Sequence, residues 1–324
     1  MPFYHASMDI EREVVDAAAR IRGYVRETPV ERSHQLSRLG GCRAFLKLEN
    51  YQVTGSFKVR GAMNRILAMS EAERDRGFVA ASSGNHGVAL AYVQEALGCS
   101  GLVVVPNDAS PAKVEAIRAH GAEVKQYGDD CLVSEEWARA EAARRGVPYV
   151  SPYNDPLIVA GQGTVGLELA EQMEAVDTVY VAVGGGGLVS GIAGLLKRRQ
   201  PDVEVVGCWP RNSAVMYESL RAGRIVEMES LPTLSDGTAG GVEEGSITFD
   251  LCQRLIDRSI LVGEEEIAVG MRLVAEHHHM MVEGAAGVAV AAFLSDMENV
   301  KGKNVVIVLC GANISLDVLR RVIA

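Results

Sequence analysis

Three short segments of this chain concentrate residue types that do chemistry. The first is Gly55-Ser56-Phe57-Lys58-Val59-Arg60-Gly61-Ala62. A polar turn (Asn50, Gln52, Thr54, Gly55) leads into a helix-forming run, so Lys58 belongs in the first turn of a helix. A cation is disfavoured at the positive end of a helix dipole, which lowers the lysine's proton affinity. A nucleophilic or Schiff-base lysine needs that shift. Taken alone, the segment reads more simply as an exposed lysine on a surface helix.

The second segment is Ala81-Ser82-Ser83-Gly84-Asn85-His86-Gly87, between a strand and a helix expected over Val88–Leu97. Free N–H groups at such a helix start suit a carboxylate or phosphate. An ordinary capped turn is the other reading, although capping needs fewer small polar residues than this. The third is Gly184-Gly185-Gly186-Gly187-Leu188, after a strand Thr178–Val183 and before a helix. Four glycines there expose backbone N–H groups as a phosphate cradle. No G-x-G-x-x-G register fits, because Val189 or Ser190 takes the third glycine's place. The next strand ends in Cys-Trp-Pro rather than in a ribose-binding acid, and no Gly-Lys-Ser/Thr follows the glycines. A monophosphate ester is the expected ligand. A Schiff-base lysine, a carboxylate-binding turn and a monophosphate cradle together imply pyridoxal phosphate.

The elements that must position these segments alternate short β-branched runs with longer helical patterns, the signature of α/β architecture. Strands are expected at Ala44–Leu48, Phe78–Ala81, Leu102–Val105, Thr178–Val183, Val203–Cys208 and Asn304–Leu309. Helices are expected at Ala112–His120, Ser134–Arg145, Gly187–Arg199 and Glu264–His278. Several strands are apolar throughout, as parallel strands buried on both faces are. A strand–glycine–helix phrase recurs around 77–97 and 177–197, which suggests two sheets, each with its own ligand-facing loop.

Composition narrows the remaining classes. At 324 residues the chain has about two domains' worth of length. A net charge of −10 argues against a nucleic-acid binder. The six cysteines, at 42, 99, 131, 208, 252 and 310, form no CxxC pair, so a structural zinc site is not expected. They read as free thiols in a reducing, cytoplasmic compartment. The uncharged stretch Thr178–Leu196 is nearly long enough to span a bilayer, but its six glycines favour a strand–turn–helix unit. No membrane association is expected.

The motifs resemble those of the fold-type II pyridoxal-phosphate family of serine/threonine dehydratases and serine racemases, over essentially the whole chain and in the same order. Leu48-Glu49-Asn50 with Gly55–Ala62 resembles the family's lysine motif, and Ser82–Gly87 its substrate loop. Gly184–Leu188 resembles its phosphate loop, and Cys310-Gly311-Ala312-Asn313 the strand end facing the pyridine nitrogen. The resemblance implies a tryptophan-synthase-β-like α/β fold with two open, mostly parallel sheets and the cofactor between them. It implies a large domain over 1–69 and 154–324 and a small lid domain over 70–153. It also implies a homodimer acting on a small amino acid.

Residue by residue, the resemblance implies that Lys58 holds the cofactor as a Schiff base and serves as base on one face. Phe57 would pack on the pyridine ring and Asn85 would bond the 3′-oxygen. Ser82, Ser83, Asn85 and His86 would hold the substrate, with Ser83 placed where racemases keep an acid on the opposite face. Gly184, Gly185, Gly186, Gly187 and Leu188 would cradle the phosphate, with Gly237 and Glu283 close to the cofactor. Cys310, a neutral partner for the pyridine nitrogen, would weaken the electron sink and favour β-elimination. The implied reaction takes a β-hydroxy amino acid such as L-threonine or L-serine to a 2-oxo acid and ammonia.

Two departures from the racemase pattern stand out. Racemase-like members bind a divalent cation through acids after the strand ending here at Cys208, but Trp209 and Val215 occupy those positions, so no metal is expected. Racemases also carry a small-domain arginine near Tyr127–Glu136, and that stretch has none. The segment Thr233–Val242, with its small residues, together with Asn212–Tyr217, is similar to dehydratase-like enzymes of hydroxyectoine breakdown, which implies a larger substrate pocket. A racemase, a β-replacement synthase and a non-catalytic protein on the same fold remain the alternatives. A nucleotide-dependent dehydrogenase lacks its fingerprint. With nothing after Ala324, feedback inhibition through a separate sensing domain is not expected.

Other conspicuous residues read as structure. His277-His278-His279 cannot chelate one ion from a single helix, and reads as a helix end favourable for the dipole. Trp137 and Trp209 read as packing residues. Pro152–Gln162 resembles the hinge where the chain returns to the large domain.

Overall fold

The computed structural model describes residues 9–324. Among them the strands are β1 (Val30–Arg32), β2 (Arg43–Lys47), β3 (Val79–Ala81), β4 (Leu102–Val105), β5 (Glu123–Gln126), β6 (Thr178–Ala182), β7 (Glu204–Pro210), β8 (Arg258–Val262) and β9 (Asn304–Val308). Six form a mixed sheet in the order β1-β2-β9-β6-β7-β8, and three form a second sheet, β3-β4-β5. All pairings are parallel except β1 with β2.

The pattern of burial follows from composition. Every residue of β6 is buried, as are Val305–Val308 of β9, which is why these strands read as unbroken apolar runs. The helix Gly284–Ser295 is apolar on all sides and buried through Phe293, packed across β6, β7, β8 and β9. The helix Ile10–Ile21 buries only one stripe, Ile10, Val14, Ala17 and Ile21.

All six expected strands are present, with ends displaced by a residue or two. β7 runs on past Cys208 because Trp209 and Pro210 pair with Leu261 and Val262 of β8. β1, β5 and β8 carry weak sequence signals. β1 has three residues, β5 reads Glu-Val-Lys-Gln on an exposed edge, and β8 is only half-buried. The helices Gly187–Arg199 and Glu264–His278 occupy the expected spans, and the latter ends with His279 in the left-handed region at φ 55°. The helix Cys131–Arg145 starts three residues early because the Asp130 side chain accepts the N–H of Val133. Trp209 is buried against Tyr217, and Trp137 stacks on Tyr127 at 5.0 Å between ring centroids.

One contact sets the depth of the helix Lys58–Leu67. It lies against the helix Pro156–Gln172 so closely that a Cβ on Gly161 would sit 2.6 Å from the carbonyl oxygen of Arg60. Beside this contact is a buried ionic cluster. Arg60 donates to Glu49 from Nε and Nη2 at 2.8 and 2.7 Å and to Glu168 from Nη1 at 2.5 Å. Lys47 donates to Glu168 at 2.6 Å and to the Thr28 carbonyl at 2.7 Å. Two cations face two anions, so the cluster is neutral overall.

Candidate active site

The loops that follow β3, β6 and β9 converge, as ligand sites in open α/β sheets do at strand carboxyl ends. Lys58 is the first residue of its helix, preceded by Phe57 at the cap. The turn before it is tied to the segment after β9. Phe57 N–H donates to the Cys310 carbonyl at 3.1 Å, and Ala312 N–H to the Gly55 carbonyl at 2.8 Å. The register of that segment therefore sets where Lys58 points.

A cavity of about 460 Å³, part of it open to solvent, lies between these loops. Phe57, Lys58, Asn85, Glu283 and Cys310 line it. So do the glycine turn Gly184, Gly185, Gly186 and Gly187, with Leu188 and Gly237. Thr238 lines it too, and so do Tyr153, Ala182 and Ala285, which sequence reasoning missed. Tyr153 sits in a segment read as a hinge, and its one signal was an aromatic ring in an otherwise small, polar turn. Of the segment expected to widen the pocket, Gly237 and Thr238 face the cavity, whereas Gly240 and Gly241 are exposed.

The electrostatics of the cavity favour proton transfer by Lys58. Its ammonium donates to the Pro152 carbonyl at 3.0 Å. Burial pulls its pKa down to about 8, against the opposing pull of the Glu283 carboxylate. At pH 7.5 far more of it is neutral than of an ordinary lysine, of which only about a thousandth is. Burial raises Glu283 to about 7, although Asn85 donates to both of its oxygens at 2.9 Å. Burial, and next the Glu283 charge, push the Cys310 thiol well above its usual range, so it stays neutral.

The loop after β3 leads into the helix Asn85–Leu97, whose first N–H groups have no intrahelical acceptors. Ser82 and Ser83 are half-buried beside that helix start and do not line the cavity. The His86 imidazole turns inward, with Nε2 at 3.1 Å from the Val150 carbonyl, and burial followed by the Lys58 charge lowers its pKa to about 3. The neutral ring spends its one N–H on the Val150 carbonyl, so any contact of His86 with a substrate carboxylate comes through its backbone N–H.

The glycine turn fits a phosphate. Gly186 has φ 86°, which L side chains rarely adopt, and a Cβ on Gly185 would run into the Tyr153 ring. Bare backbone therefore faces the cavity. Gly187, Leu188 and Val189 open the next helix, where N–H groups lack intrahelical partners. A reactive lysine stands on the same cavity as this cradle, with a flat aromatic ring beside it. That donor set fits pyridoxal phosphate. Where racemases place cation-binding acids, Trp209 and Val215 are buried apolar residues. No cluster of three or more metal-ligating side chains and no helix long and apolar enough to cross a membrane occurs among the described residues.

Comparison with known proteins agrees with this geometry. The chain is 40% identical over 311 residues to an L-threonine ammonia-lyase of Thermotoga maritima, covering 96% of this chain and 77% of that one. Its fold superposes on a serine racemase from Dictyostelium discoideum with a TM-score of 0.88 and 36% identity, covering 94% and 98% of the two chains. It superposes on a threonine deaminase from Solanum lycopersicum with a TM-score of 0.91 and 31% identity, covering 99% and 94%. A family model described as "Pyridoxal-phosphate dependent enzyme" matches residues 21–311, and the chain belongs to that family, in its fold-type II branch.

Proposed function

We propose that this enzyme catalyses α,β-elimination of the hydroxyl group from L-threonine or L-serine, the product hydrolysing to a 2-oxo acid and ammonia. The observation that carries the reading is the single cavity on which Lys58, the glycine cradle and Asn85 meet. The threonine ammonia-lyase relative supports the choice of substrate.

Bound pyridoxal phosphate supplies a carbonyl for covalent capture of an amino group and an electron sink for charge at the α-carbon. Gly184–Gly187 and Leu188 would hold its phosphate through backbone N–H groups. Phe57, Gly237 and Glu283 line the same cavity, where the resemblance puts them beside its ring. Asn85 is held in place by Glu283, and its amide oxygen accepts from Asn313 at 2.6 Å. Cys310 would offer the ring nitrogen a neutral thiol, which would keep the sink modest and favour elimination. Ser82 and Ser83, half-buried beside the helix start, would hold the substrate carboxylate together with the N–H groups of Asn85 and His86. Neutral Lys58 would take the α-proton at Nζ, with Ser83 as the residue that the resemblance puts on the opposite face.

The units proposed to close on substrate are the small domain, 70–153, and the large domain, 1–69 with 154–324. All six cysteines are free, which supports a reducing, cytoplasmic setting. A homodimer is proposed from the family resemblance, and light scattering checks it.

The test is release of 2-oxo acid and ammonia from the holoenzyme with L-threonine, L-serine, threo-3-hydroxyaspartate and hydroxyectoine-derived amino acids. Turnover of threonine or serine is expected, with loss of turnover and of the visible absorption of lysine-bound cofactor in Lys58→Ala. Silence on both substrates, with turnover of a larger hydroxy compound, would overturn the substrate assignment.

A further inference from the structure

The racemase-type arginine is missing from 127–136, yet a cation on the same helix does reach across the cleft. Arg139 lies on the helix Cys131–Arg145, which covers the three-stranded sheet. Its Nη2 meets Glu243 Oε1 at 2.6 Å, in the segment that follows Gly237. The guanidinium also pairs with Glu135 at 2.6 Å and lies over the Tyr149 ring at 4.1 Å. Glu243 is held further. Its carboxylate accepts from Asn154 Nδ2 at 2.8 Å and from Ser151 Oγ at 3.3 Å. Its backbone N–H donates to the Tyr153 hydroxyl at 2.8 Å. The Tyr153 ring then lies directly against Gly185, and its Cα backs Gly187, 3.3 Å from where a Cβ would stand.

These contacts form a continuous row from a helix of the small sheet to the turn that fits the phosphate. Neither Arg139 nor Glu243 lines the cavity. A second pair spans the same cleft, Lys113 with Asp236 at 2.7 Å, but its side chains are 41% and 58% exposed. Water and salt screen such a pair, so it contributes little. Arg139 is 40% exposed, much as Lys113 is, but Glu243 is only 23% exposed and holds three side-chain partners, which makes theirs the stronger tie.

We propose that Arg139, Glu243 and Tyr153 are positioning residues that couple docking of the small sheet to the phosphate turn, so that the cofactor is gripped tightly only when the small sheet is seated. The proposal rests on the cofactor reading of the cavity and not on the identity of the amino-acid substrate. A ring pressed on Gly185, with the Tyr153 backbone behind Gly187, limits how far that turn can open. The Glu243 N–H limits how far the ring can swing, and Arg139 ties Glu243 to the sheet that would move.

The experiment measures the equilibrium dissociation constant of pyridoxal phosphate on the full chain, by its absorption, for Arg139→Gln, Tyr153→Phe and the double variant. Coupling through a network of this kind is worth about 0.5–2 kcal/mol, so each single change should weaken binding about two- to thirtyfold. The double variant should be no weaker than the weaker single, because both cut the same connection. Arg139→Lys should restore most of the affinity. Arg144→Gln, on the same helix but paired only with its neighbour Glu141, should leave it unchanged. An unchanged constant in Arg139→Gln or Tyr153→Phe overturns the proposal, as do single effects that multiply in the double variant. So does a rise in amino-acid KM alone, which would make the arginine a simple lid contact. Lack of turnover on threonine with the coupling intact would count against the proposed substrate instead.

Discussion

Replacing Arg60 with methionine should unfold the protein far more readily at alkaline pH than at acid pH. Arg60 is 1% exposed and Glu49 is fully buried, and Lys47 and Glu168 complete a neutral set of four charges. Removing the guanidinium leaves one negative charge uncompensated in the interior. Breaking a buried pair in this way costs about 3–5 kcal/mol. The pH dependence follows from Glu49. Burial alone raises its pKa, and Arg60, with smaller help from Lys47 and Thr28, outweighs burial and brings it below the usual value. Without Arg60, burial prevails and the folded-state pKa rises above the unfolded one. A carboxyl with a raised folded pKa contributes stability fully present below the unfolded value and lost as pH climbs through the folded one. Arg60→Met should therefore recover up to about 1.4 kcal/mol per pH unit on acidification toward pH 5. Urea unfolding of the wild type, Arg60→Met and Arg60→Met/Glu49→Gln at pH 8 and pH 5.5 gives the comparison. The double variant, with its charges balanced again, should be more stable at pH 8 than Arg60→Met. A loss below about 1 kcal/mol at pH 8, a loss that does not change with pH, or a double variant weaker than the single would refute the reasoning.

Three further outcomes are expected. Gly185→Ala should lower cofactor affinity about tenfold or more while the protein stays folded, because a Cβ there meets the Tyr153 ring; equilibrium dialysis against pyridoxal phosphate checks it. His86, with a folded pKa of about 3, favours the folded state above the unfolded value of about 6.5, and that stability is lost as pH falls through 3. At pH 4.5 the loss is about 3 kcal/mol, and His86→Gln should flatten the slope of unfolding free energy between pH 4.5 and 7. Mass spectrometry after brief alkylation should find Cys131 modified first, since it is exposed while Cys42, Cys208, Cys252 and Cys310 are buried; early labelling of Cys310 would contradict its packing.

Much of the site was legible because cofactor chemistry uses local backbone devices. A lysine at a helix start, four glycines between a strand and a helix, and a small polar turn before another helix each leave a mark within a few residues. Central strands such as β6 and β9 were legible for a related reason, since burial on both faces demands an unbroken apolar run. Edge strands were not, because β5 is polar and β1 is three residues long. Tyr153, Glu243 and Arg139 were hidden because their significance is a matter of tertiary proximity, across 90 to 104 positions of chain. The inward turn of the His86 ring was invisible too, since nothing beside it in sequence signals the Val150 carbonyl.

The place of β9 has a consequence for how the protein is made. It is the last strand in the chain, yet it lies between β2 and β6. While the nascent chain is still emerging from the ribosome, the β1–β2 pair and the β6–β7–β8 group have no hydrogen-bonded connection. The three-stranded sheet, with all its strands within 79–126, can form early and locally. β2 and β6 must wait with open edges until Asn304–Val308 is released, and unpaired edges invite aggregation. A stop codon shortly before Asn304 should therefore produce an insoluble chain that calls on chaperones, rather than a slightly shortened and partly active enzyme.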